Sequence, residues 1–377
     1  MGKTTRIFTL LALIVLVLAS CSGEKEPKEL YDEQKSGVCM VLNSYYYEIT
    51  LPMGNKWYCS GIDDEGDLEN LTLNLNEVKK AVSTGTAFFI GDKGQLLTNR
   101  HVVSPVIPED GIRKAAKSLI VNIKDYFKSV QDEYARQYNQ LEQAKSNCYD
   151  YDFYGNIYIN QQQYDQIVQE QNQLEQQFNE AENLVNTIDN MDMSALQVKS
   201  VNEIGIAYND SYVTKIEDFI EKNPCVVTDV SEDENTDLAV IQLKNKTTPS
   251  DKHIFTIKGY NDKSSDSFWP KLESLFSPDD TKGLQVDQEL VMMGFNAGLI
   301  LGNTKQGVKV QMTTGRVSQE PDGDKVLYSI PMLPGSSGSP VLDLKGNVRA
   351  VNFAKLSGTE TFNFGIPEKR ILKFLNQ

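Results

Sequence analysis

Short apolar segments separated by glycine- or proline-containing turns recur at both ends of this 377-residue chain, and they favour a β-rich fold. Their length and their β-branched and aromatic content are typical of strands. Hydrophobic residues make up 40% of the sequence, which is enough for a sizeable core. Regularly spaced short strands predict a barrel or a sandwich. The predicted strands cover residues 38–51, 83–90, 95–98, 201–208, 225–230, 237–243, 290–294, 308–317, 325–330, 341–344, 347–353 and 361–366, and a helix is expected at 368–376.

The segment from residue 105 to 197 is different, because it is rich in Gln, Asn, Glu and Tyr. Its apolar residues recur at spacings of three and four over 119–141 and again over 164–188, which is a helical seam. A break at 150–156 would let the two helices fold back as an antiparallel hairpin. A disordered Gln/Asn tract is the alternative, and the sustained periodicity argues against it. We therefore expect a long α-helical hairpin inserted into the β fold.

Residues 1–20 have the charged start and short apolar run of a signal peptide. The run is too short to span a membrane comfortably. The run ends in LASC, which resembles a bacterial lipobox. In a lipobox the cysteine is lipidated, and here that cysteine is Cys21. An ordinary signal peptide is the alternative. Polar residues 21–36 would form a tether, so we expect a protein lipid-anchored in the bacterial cell envelope, at the outer membrane facing the periplasm or at the cell surface.

Charge and residue counts exclude several function classes. The formal net charge of −15 argues against a nucleic-acid partner. Two histidines and no CxxC pair argue against a metal site, and no glycine loop predicts a nucleotide cofactor. After export, the even set Cys39, Cys59, Cys148 and Cys225 would allow two disulfides in three pairings. We favour Cys39 with Cys59, whose segments resemble neighbouring strands.

The run PGSSGSP at residues 334–340 is the strongest candidate for chemistry. Its glycines permit a tight turn that presents a hydroxyl outward, beside backbone N–H groups that could receive an oxyanion. Taken alone, the run also fits a surface turn. The Gly-x-Ser-Gly frame selects Ser337 over its neighbours Ser336 and Ser339.

A nucleophilic serine needs a base with a pKa near 6.5 and a carboxylate to orient that base. His101 follows a predicted strand end, whereas His253 lies in a polar segment. Asp237 precedes the apolar run LAVI at a predicted strand start, unlike the nearby alternatives Asp233 and Glu234.

Four blocks of sequence occur in an order that resembles trypsin-like serine proteases, nearest to the HtrA (Deg) branch. The blocks are TGTAFFIG (84–91) with LTNRHVV (97–103), TDLAVIQL (236–243), MGFNAGL (293–299) with TGRVS (314–318), and PGSSGSP (334–340) with GNV (346–348) and FGIP (364–367). The resemblance implies a mainly β, chymotrypsin-like double β-barrel. Ser339 departs from it, because HtrA proteins usually have glycine there. We expect no PDZ domain, because too few residues follow the last block.

The resemblance also implies the roles of the site residues. Ser337 would be the nucleophile, His101 the general base and then acid, and Asp237 the orienting carboxylate. The N–H groups of Gly335 and Ser337 would form the oxyanion hole. The substrate pocket would include five positions: Pro331, Val351, Asn352, Phe353 and Asn363. None of these is charged, so small or medium apolar P1 residues are expected, unless loop 244–283 brings a charge into the pocket.

The predicted domain bounds follow from these patterns. A first barrel would start at 37–104 and end at 198–250, interrupted by the insertion at 105–197, and a second barrel with a closing helix would occupy 251–377. The resemblance implies a serine endopeptidase that acts on protein or peptide substrates through an acyl-enzyme. The alternative is a catalytically silent scaffold that binds partners through its helical insertion. The insertion could also cap the cleft between the barrels, mediate homo-oligomerisation or recruit substrate, and its polarity does not distinguish these roles.

Overall fold

The computed structural model describes residues 23–233, 236–261, 283–355 and 363–377. The predicted signal peptide, Cys21, Glu234 and most of the second half of loop 244–283 lie outside the described residues. The chain divides into two compact units. The first unit contains Met1–Tyr45, Val82–Val106 and Asn202–Gln377, and the second contains Tyr46–Ala81 and Ile107–Val201.

Strands dominate the first unit and helices the second. The strands are β1 (Val38–Thr50), β2 (Lys56–Cys59), β3 (Gly61–Ile62), β4 (Leu68–Glu69), β5 (Ala81–Phe89), β6 (Gln95–Thr98), β7 (Tyr149–Tyr151), β8 (Ile157–Ile159), β9 (Gln197–Tyr208), β10 (Pro224–Val230), β11 (Ala239–Leu243), β12 (Glu289–Gly294), β13 (Asn303–Thr304), β14 (Gly307–Val308), β15 (Gln311–Arg316), β16 (Val326–Tyr328), β17 (Pro340–Leu342), β18 (Val348–Lys355) and β19 (Asn363–Pro367). The α-helices are α1 (Pro27–Gln34), α2 (Arg100–Val103), α3 (Glu109–Lys145), α4 (Gln161–Asp189), α5 (Glu217–Lys222), α6 (Leu299–Gly302) and α7 (Glu368–Leu375).

The first unit contains two curved sheets. One runs in the order β1-β5-β6-β11-β10-β9, and a further pairing of β9 with β1 closes it into a six-stranded barrel. The other runs β15-β12-β17-β18-β19-β16 and forms a curled half-barrel. One hydrophobic cluster joins them, because Met40 and Phe88 of the first sheet pack in the same core as Met293 and Val351 of the second. The predicted mainly β fold with a long helical insertion is confirmed, and its closed barrel and curled half-barrel are consistent with the expected chymotrypsin-like double β-barrel.

The predicted tether is in part a packed element. Residues of α1 belong to the first unit, and Leu30 is completely buried in its core. The Tyr31 hydroxyl donates a hydrogen bond of 2.8 Å to the Val310 carbonyl. The Lys25 N–H donates to the Leu344 carbonyl at 2.7 Å. Two apolar side chains in a charged octapeptide are too weak a pattern to predict burial.

The helical hairpin forms the larger part of the second unit. Helices α3 and α4 are antiparallel, since Lys124 contacts Asp189 at 3.0 Å while Gln171 donates to Glu142 at 2.9 Å. The buried residues of α3 are confined to its beginning, whereas those of α4 are spread along it: Ile112, Ala115, Ala116 and Ile120 in α3, and Ile167, Gln171, Ala181 and Val185 in α4. The predicted break between the helices contains the small β7–β8 hairpin. The second unit also takes in residues 46–81, which the sequence assigned to the first barrel; the predicted bounds stay a prediction.

The favoured disulfide is wrong, because all four described cysteines are buried and free. The segments that contain Cys39 and Cys59 do form neighbouring strands, but the register keeps the two residues apart. In fact β2 pairs with the far half of β1, so that Cys59 is opposite Tyr47. Cys39 packs in the barrel core with Cys225. Burial raises the pKa of the Cys59 thiol to about 11 and that of Cys225 to about 12.

Among the helices of the described residues, none is both long and apolar enough to cross a membrane.

Candidate active site

His101 lies on the single helical turn α2, which directly follows β6. Its neighbours Val102 and Val103 are buried in the core of the closed barrel. Gly85 leaves room for this packing, because a Cβ there would lie 2.6 Å from the Val102 side chain. The buried valines therefore fix the turn, while the His101 side chain remains 49% exposed.

Asp237 reaches His101 because β11 pairs with β6. In this antiparallel register Ala239 is opposite Thr98, so the residues just outside the two strands meet. The Asn99 side-chain amide donates to the Asp237 carbonyl at 2.7 Å, and the Arg100 N–H donates to the same oxygen at 3.3 Å. The backbone of Asp237 is thus held beside the turn that bears the histidine.

The carboxylate of Asp237 contacts His101 at two points. Its Oδ1 accepts the His101 backbone N–H at 3.0 Å, and its Oδ2 lies 2.5 Å from the ring Nδ1. A carboxylate at Nδ1 favours the tautomer that carries its proton there. The other ring nitrogen, Nε2, is then left with a lone pair that can accept a proton.

Of the three serines in the 334–340 loop, only Ser337 is partly exposed. Ser336 and Ser339 are completely buried. The Ser336 hydroxyl donates to the Leu333 carbonyl at 2.8 Å. The Ser339 hydroxyl has no hydrogen-bond partner among the described residues, and it packs so near Gly294 that a Cβ at that glycine would lie 1.9 Å from it. Solvent access therefore distinguishes Ser337 from the other two.

Residues 334–340, the Ser337 loop, are hydrogen-bonded to β5, which in turn is hydrogen-bonded to β6, the strand before His101. The Ser337 carbonyl accepts the Thr86 N–H at 2.8 Å, and the Thr86 carbonyl accepts the Thr98 hydroxyl at 2.7 Å. Gly338 must be glycine here, since a Cβ would lie 2.0 Å from the Thr86 carbonyl oxygen and its φ is +86°. Thr98 is three residues before His101, so the structure brings the loop to the end of the strand that positions the histidine.

Gly335 has a left-handed backbone that only glycine adopts readily, with a φ of +100°. A Cβ at this position would lie 2.5 Å from both the Gly298 nitrogen and the Phe295 oxygen. Within the described part of the chain, neither the Gly335 N–H nor the Ser337 N–H donates to another residue. Backbone N–H groups of one turn that point to a common site are the usual means of binding an oxyanion.

The five predicted pocket positions have different environments. Pro331 is exposed, Phe353 is half-buried, and Val351 packs in the hydrophobic core. Asn352 and Asn363 are completely buried. The structure therefore does not place all five on an accessible surface.

A buried polar network connects the pocket positions to the Ser337 loop. The Tyr328 hydroxyl donates to Asn352 Oδ1 at 2.7 Å, and the Asn352 amide donates to the Ser336 carbonyl at 3.0 Å. The Asn363 amide donates to the Ile330 carbonyl at 2.6 Å. Burial raises the pKa of Tyr328 well above its usual value, so the hydroxyl stays a donor. Tyr328 could not be predicted from the sequence, because a short apolar strand gives no signal that one of its side chains is a buried hydrogen-bond donor.

Lys325 was also missed. Its Nζ lies 5.4 Å from the centre of the Phe364 ring and 5.8 Å from that of Phe353, which are cation–π distances. A positive charge therefore lies beside two residues of the segments expected to form the pocket walls.

No cluster of three or more His, Cys, Asp or Glu side chains that could hold a metal ion occurs among the described residues.

Residues 198–351 match one protein-family model. The matched family is the trypsin-like peptidase domain. The matched segment includes Asp237 and Ser337, whereas His101 precedes it, on the other side of the helical insertion. No protein in the curated set matches the chain.

Among solved structures, the chain is similar to a serine endoprotease from Yersinia pestis, with 10% sequence identity and a TM-score of 0.40. The similarity covers 93% of this chain and 66% of that protein, so the chain spans less than two thirds of its length. The Rv3671c protease from M. tuberculosis in its active form is similar at 12% identity and a TM-score of 0.38, over 92% of this chain and 82% of that one.

Proposed function

We propose that the protein is a serine endopeptidase that hydrolyses peptide bonds through Ser337, His101 and Asp237. The observation that carries this proposal is the two-point contact of the Asp237 carboxylate with His101. His101 follows β6, and Thr86 of the neighbouring strand β5 is hydrogen-bonded both to β6 and to the Ser337 loop. The match of residues 198–351 to the trypsin-like peptidase domain supports the same reaction class.

In the first half of the reaction, Nε2 of His101 takes the proton of the Ser337 hydroxyl as Oγ attacks the carbonyl carbon of the peptide bond. The carbonyl oxygen becomes an oxyanion, which the N–H groups of Gly335 and Ser337 would stabilise. Asp237 holds the imidazole in the required tautomer and stabilises its positive charge. His101 then gives the proton to the leaving amine, and an acyl-enzyme on Ser337 remains.

In the second half, His101 takes a proton from water, and the hydroxide adds to the ester carbonyl of the acyl-enzyme. Collapse of the second oxyanion breaks the bond to Oγ, and the proton returns from His101 to Ser337. One water molecule is consumed, and the protein regains its starting state.

Replacement of Ser337 tests the proposal. Ser337→Ala should remove hydrolysis of a casein or peptide substrate by several orders of magnitude, because it removes the nucleophile. Ser336→Ala and Ser339→Ala are the matched controls, since both hydroxyls are buried. A fluorophosphonate probe should label wild type at Ser337 and leave Ser337→Ala unlabelled. Labelling at either neighbouring serine, or full activity of Ser337→Ala, would refute the assignment.

We further propose that Cys21 carries a lipid that anchors the protein in the bacterial cell envelope. The LASC sequence at 18–21 supports this location. Acyl chains contribute about 0.8 kcal/mol per buried CH₂ group to membrane binding, so loss of the lipid should abolish that binding. Cys21→Ala should release the protein into the soluble fraction, and sedimentation of this variant with membranes at high salt would contradict the proposal.

A further inference from the structure

Thr86 of β5 connects the Ser337 loop to the closed barrel, and its three polar groups make four hydrogen bonds. The residue is completely buried. Its hydroxyl donates to the Gly335 carbonyl at 2.9 Å and accepts the Phe295 N–H at 3.2 Å. Its backbone N–H donates to the Ser337 carbonyl at 2.8 Å, and its carbonyl accepts the Thr98 hydroxyl at 2.7 Å. One buried residue therefore contacts the loop on both sides of Ser336.

The hydroxyl of Thr86 acts on the peptide unit between Gly335 and Ser336. The carbonyl of this unit accepts from Thr86, while its N–H donates to the Leu333 carbonyl at 3.1 Å. Both polar groups of the peptide are thus held, so its plane cannot rotate without breaking a buried hydrogen bond. Gly335 lacks a side chain that would restrict its backbone, and its φ of +100° lies outside the range that other residues favour.

We propose that Thr86 is a positioning residue for the oxyanion-binding site. Its hydroxyl holds the peptide plane that follows Gly335. Gly335 itself packs closely against Gly298 and Phe295, which restricts rotation about its Cα, so the preceding peptide plane, which carries the Gly335 N–H, keeps its direction. The N–H that receives the oxyanion is therefore aimed before substrate binds. This role rests on the proposed peptidase function, and it adds to that function a residue that lies outside the serine loop and does not touch the reacting atoms.

Replacement by valine separates the hydroxyl of Thr86 from its shape, because valine has nearly the same shape and lacks the hydroxyl. Thr86→Val would leave the Gly335 carbonyl and the Phe295 N–H buried and unpaired. The loop could regain partners only by turning the Gly335–Ser336 peptide. Thr86→Ser keeps the hydroxyl and should keep the loop in place.

The experiment measures kcat and KM of the purified protein on a peptide ester, and the affinity for a peptide boronic acid, which forms a tetrahedral adduct with the nucleophile. In Thr86→Val, kcat should fall roughly tenfold to hundredfold, because small misplacement of a catalytic donor has effects of this size. KM should change by less than about twofold, since ground-state binding does not use the oxyanion donors. Boronate affinity should fall in parallel with kcat. Thr86→Ser should restore both within about threefold.

Thr248, which is half-buried, provides a control with the same two kinds of side-chain hydrogen bond. Its hydroxyl also accepts one backbone N–H, from Gly94 at 2.9 Å, and donates to one carbonyl, that of Gly91 at 2.5 Å. Neither contact involves the serine loop or the His–Asp pair. Thr248→Val loses the same kinds of hydrogen bond and should keep wild-type kcat and boronate affinity. An equal loss of kcat in this variant would show a general effect of destabilisation and would overturn the role of Thr86.

Other outcomes separate this role from the proposed function. An active wild type with an equally active Thr86→Val, or a loss confined to KM, overturns only the role of Thr86. If the wild-type protein neither hydrolyses the ester nor binds the boronate, both the proposed peptidase function and the role of Thr86 are refuted. If Thr86→Val fails to fold, Thr86→Ala replaces it, because the smaller side chain leaves room for a bridging water. Thr86→Ala should then have a kcat between that of wild type and that of the inactive Ser337→Ala variant. A kcat equal to that of wild type would refute the role of Thr86.

Discussion

The Asp237 carboxylate contacts His101 twice, through the ring Nδ1 at 2.5 Å and through the backbone N–H at 3.0 Å. The second contact ties the carboxylate to the backbone of the residue whose ring it orients. The ring and its partner therefore keep their relative position even though the His101 side chain is 49% exposed.

Asp237→Asn should lower kcat by about 10⁴, because an amide at this position no longer favours the tautomer with its proton on Nδ1. KM should change little, and the melting temperature should remain near that of wild type. Asp233→Asn is the control, since Asp233 lies in the same loop and is exposed. If both variants retain more than about a tenth of wild-type kcat, the orienting role of Asp237 is wrong.

Cleavage of a peptide library should favour small or medium apolar P1 residues, because none of the predicted pocket positions carries a charge and an unpaired buried charge is costly. Lys325 beside Phe353 and Phe364 should make basic P1 residues the least favoured of all. Lys325→Gln should raise the relative kcat/KM for basic P1 residues only by about fivefold, since the exposed ammonium is screened by solvent. Dominant cleavage after Arg or Lys by wild type would contradict the pocket assignment.

The outer part of the helical hairpin should be dispensable for folding. Deletion of residues 134–179, with a short glycine linker, removes the tip and keeps the buried beginning of α3. The melting temperature should fall by less than about 5 °C, because the deleted stretch contains only three buried residues, Cys148, Ile167 and Gln171. Circular dichroism and thermal denaturation measure this. A variant that cannot fold would show that the outer helices are part of the core.

A pair of adjacent substitutions defines the hairpin's buried face. Ile120 is 3% exposed and Val121 is 47% exposed on the same helix. Ile120→Ala should lower the free energy of unfolding by about 2–4 kcal/mol, whereas Val121→Ala should change it by less than about 0.5 kcal/mol. Equal effects in urea denaturation would mean that α3 packs on a different face.

The four described cysteines should resist alkylation in the folded protein. With pKa values of about 11 for Cys59 and about 12 for Cys225, only roughly one thiol in 10³–10⁴ is ionised at pH 8. Because burial raises these values, reactivity should increase as pH rises towards them. Mass spectrometry after iodoacetamide treatment should find no modification in the native state and full modification in urea without reductant. Cysteines that remain unmodified in urea would indicate disulfides.

The structural elements whose apolar residues repeat every two to four positions could be predicted from the sequence. Alternating apolar strands with glycine turns indicated the barrels, and the three-and-four spacing indicated helices α3 and α4. The blocks around His101, Asp237 and Ser337 indicated the candidate site. The short helix α1 was interpreted as a tether, because burial of Leu30 depends on a core assembled from residues far along the chain.

By itself, the sequence determined the element types, the order of the motifs and the residue types available for nucleophilic chemistry. Only the tertiary structure decided that Asp237 meets His101, since that contact depends on the register of β6 with β11. It also decided that Ser337 is the accessible serine and that Thr86 holds the Gly335 carbonyl. These relationships are hydrogen bonds and burial between residues more than a hundred positions apart. Local patterns encode which face of a strand is apolar, but they do not encode which distant backbone group a buried hydroxyl will reach.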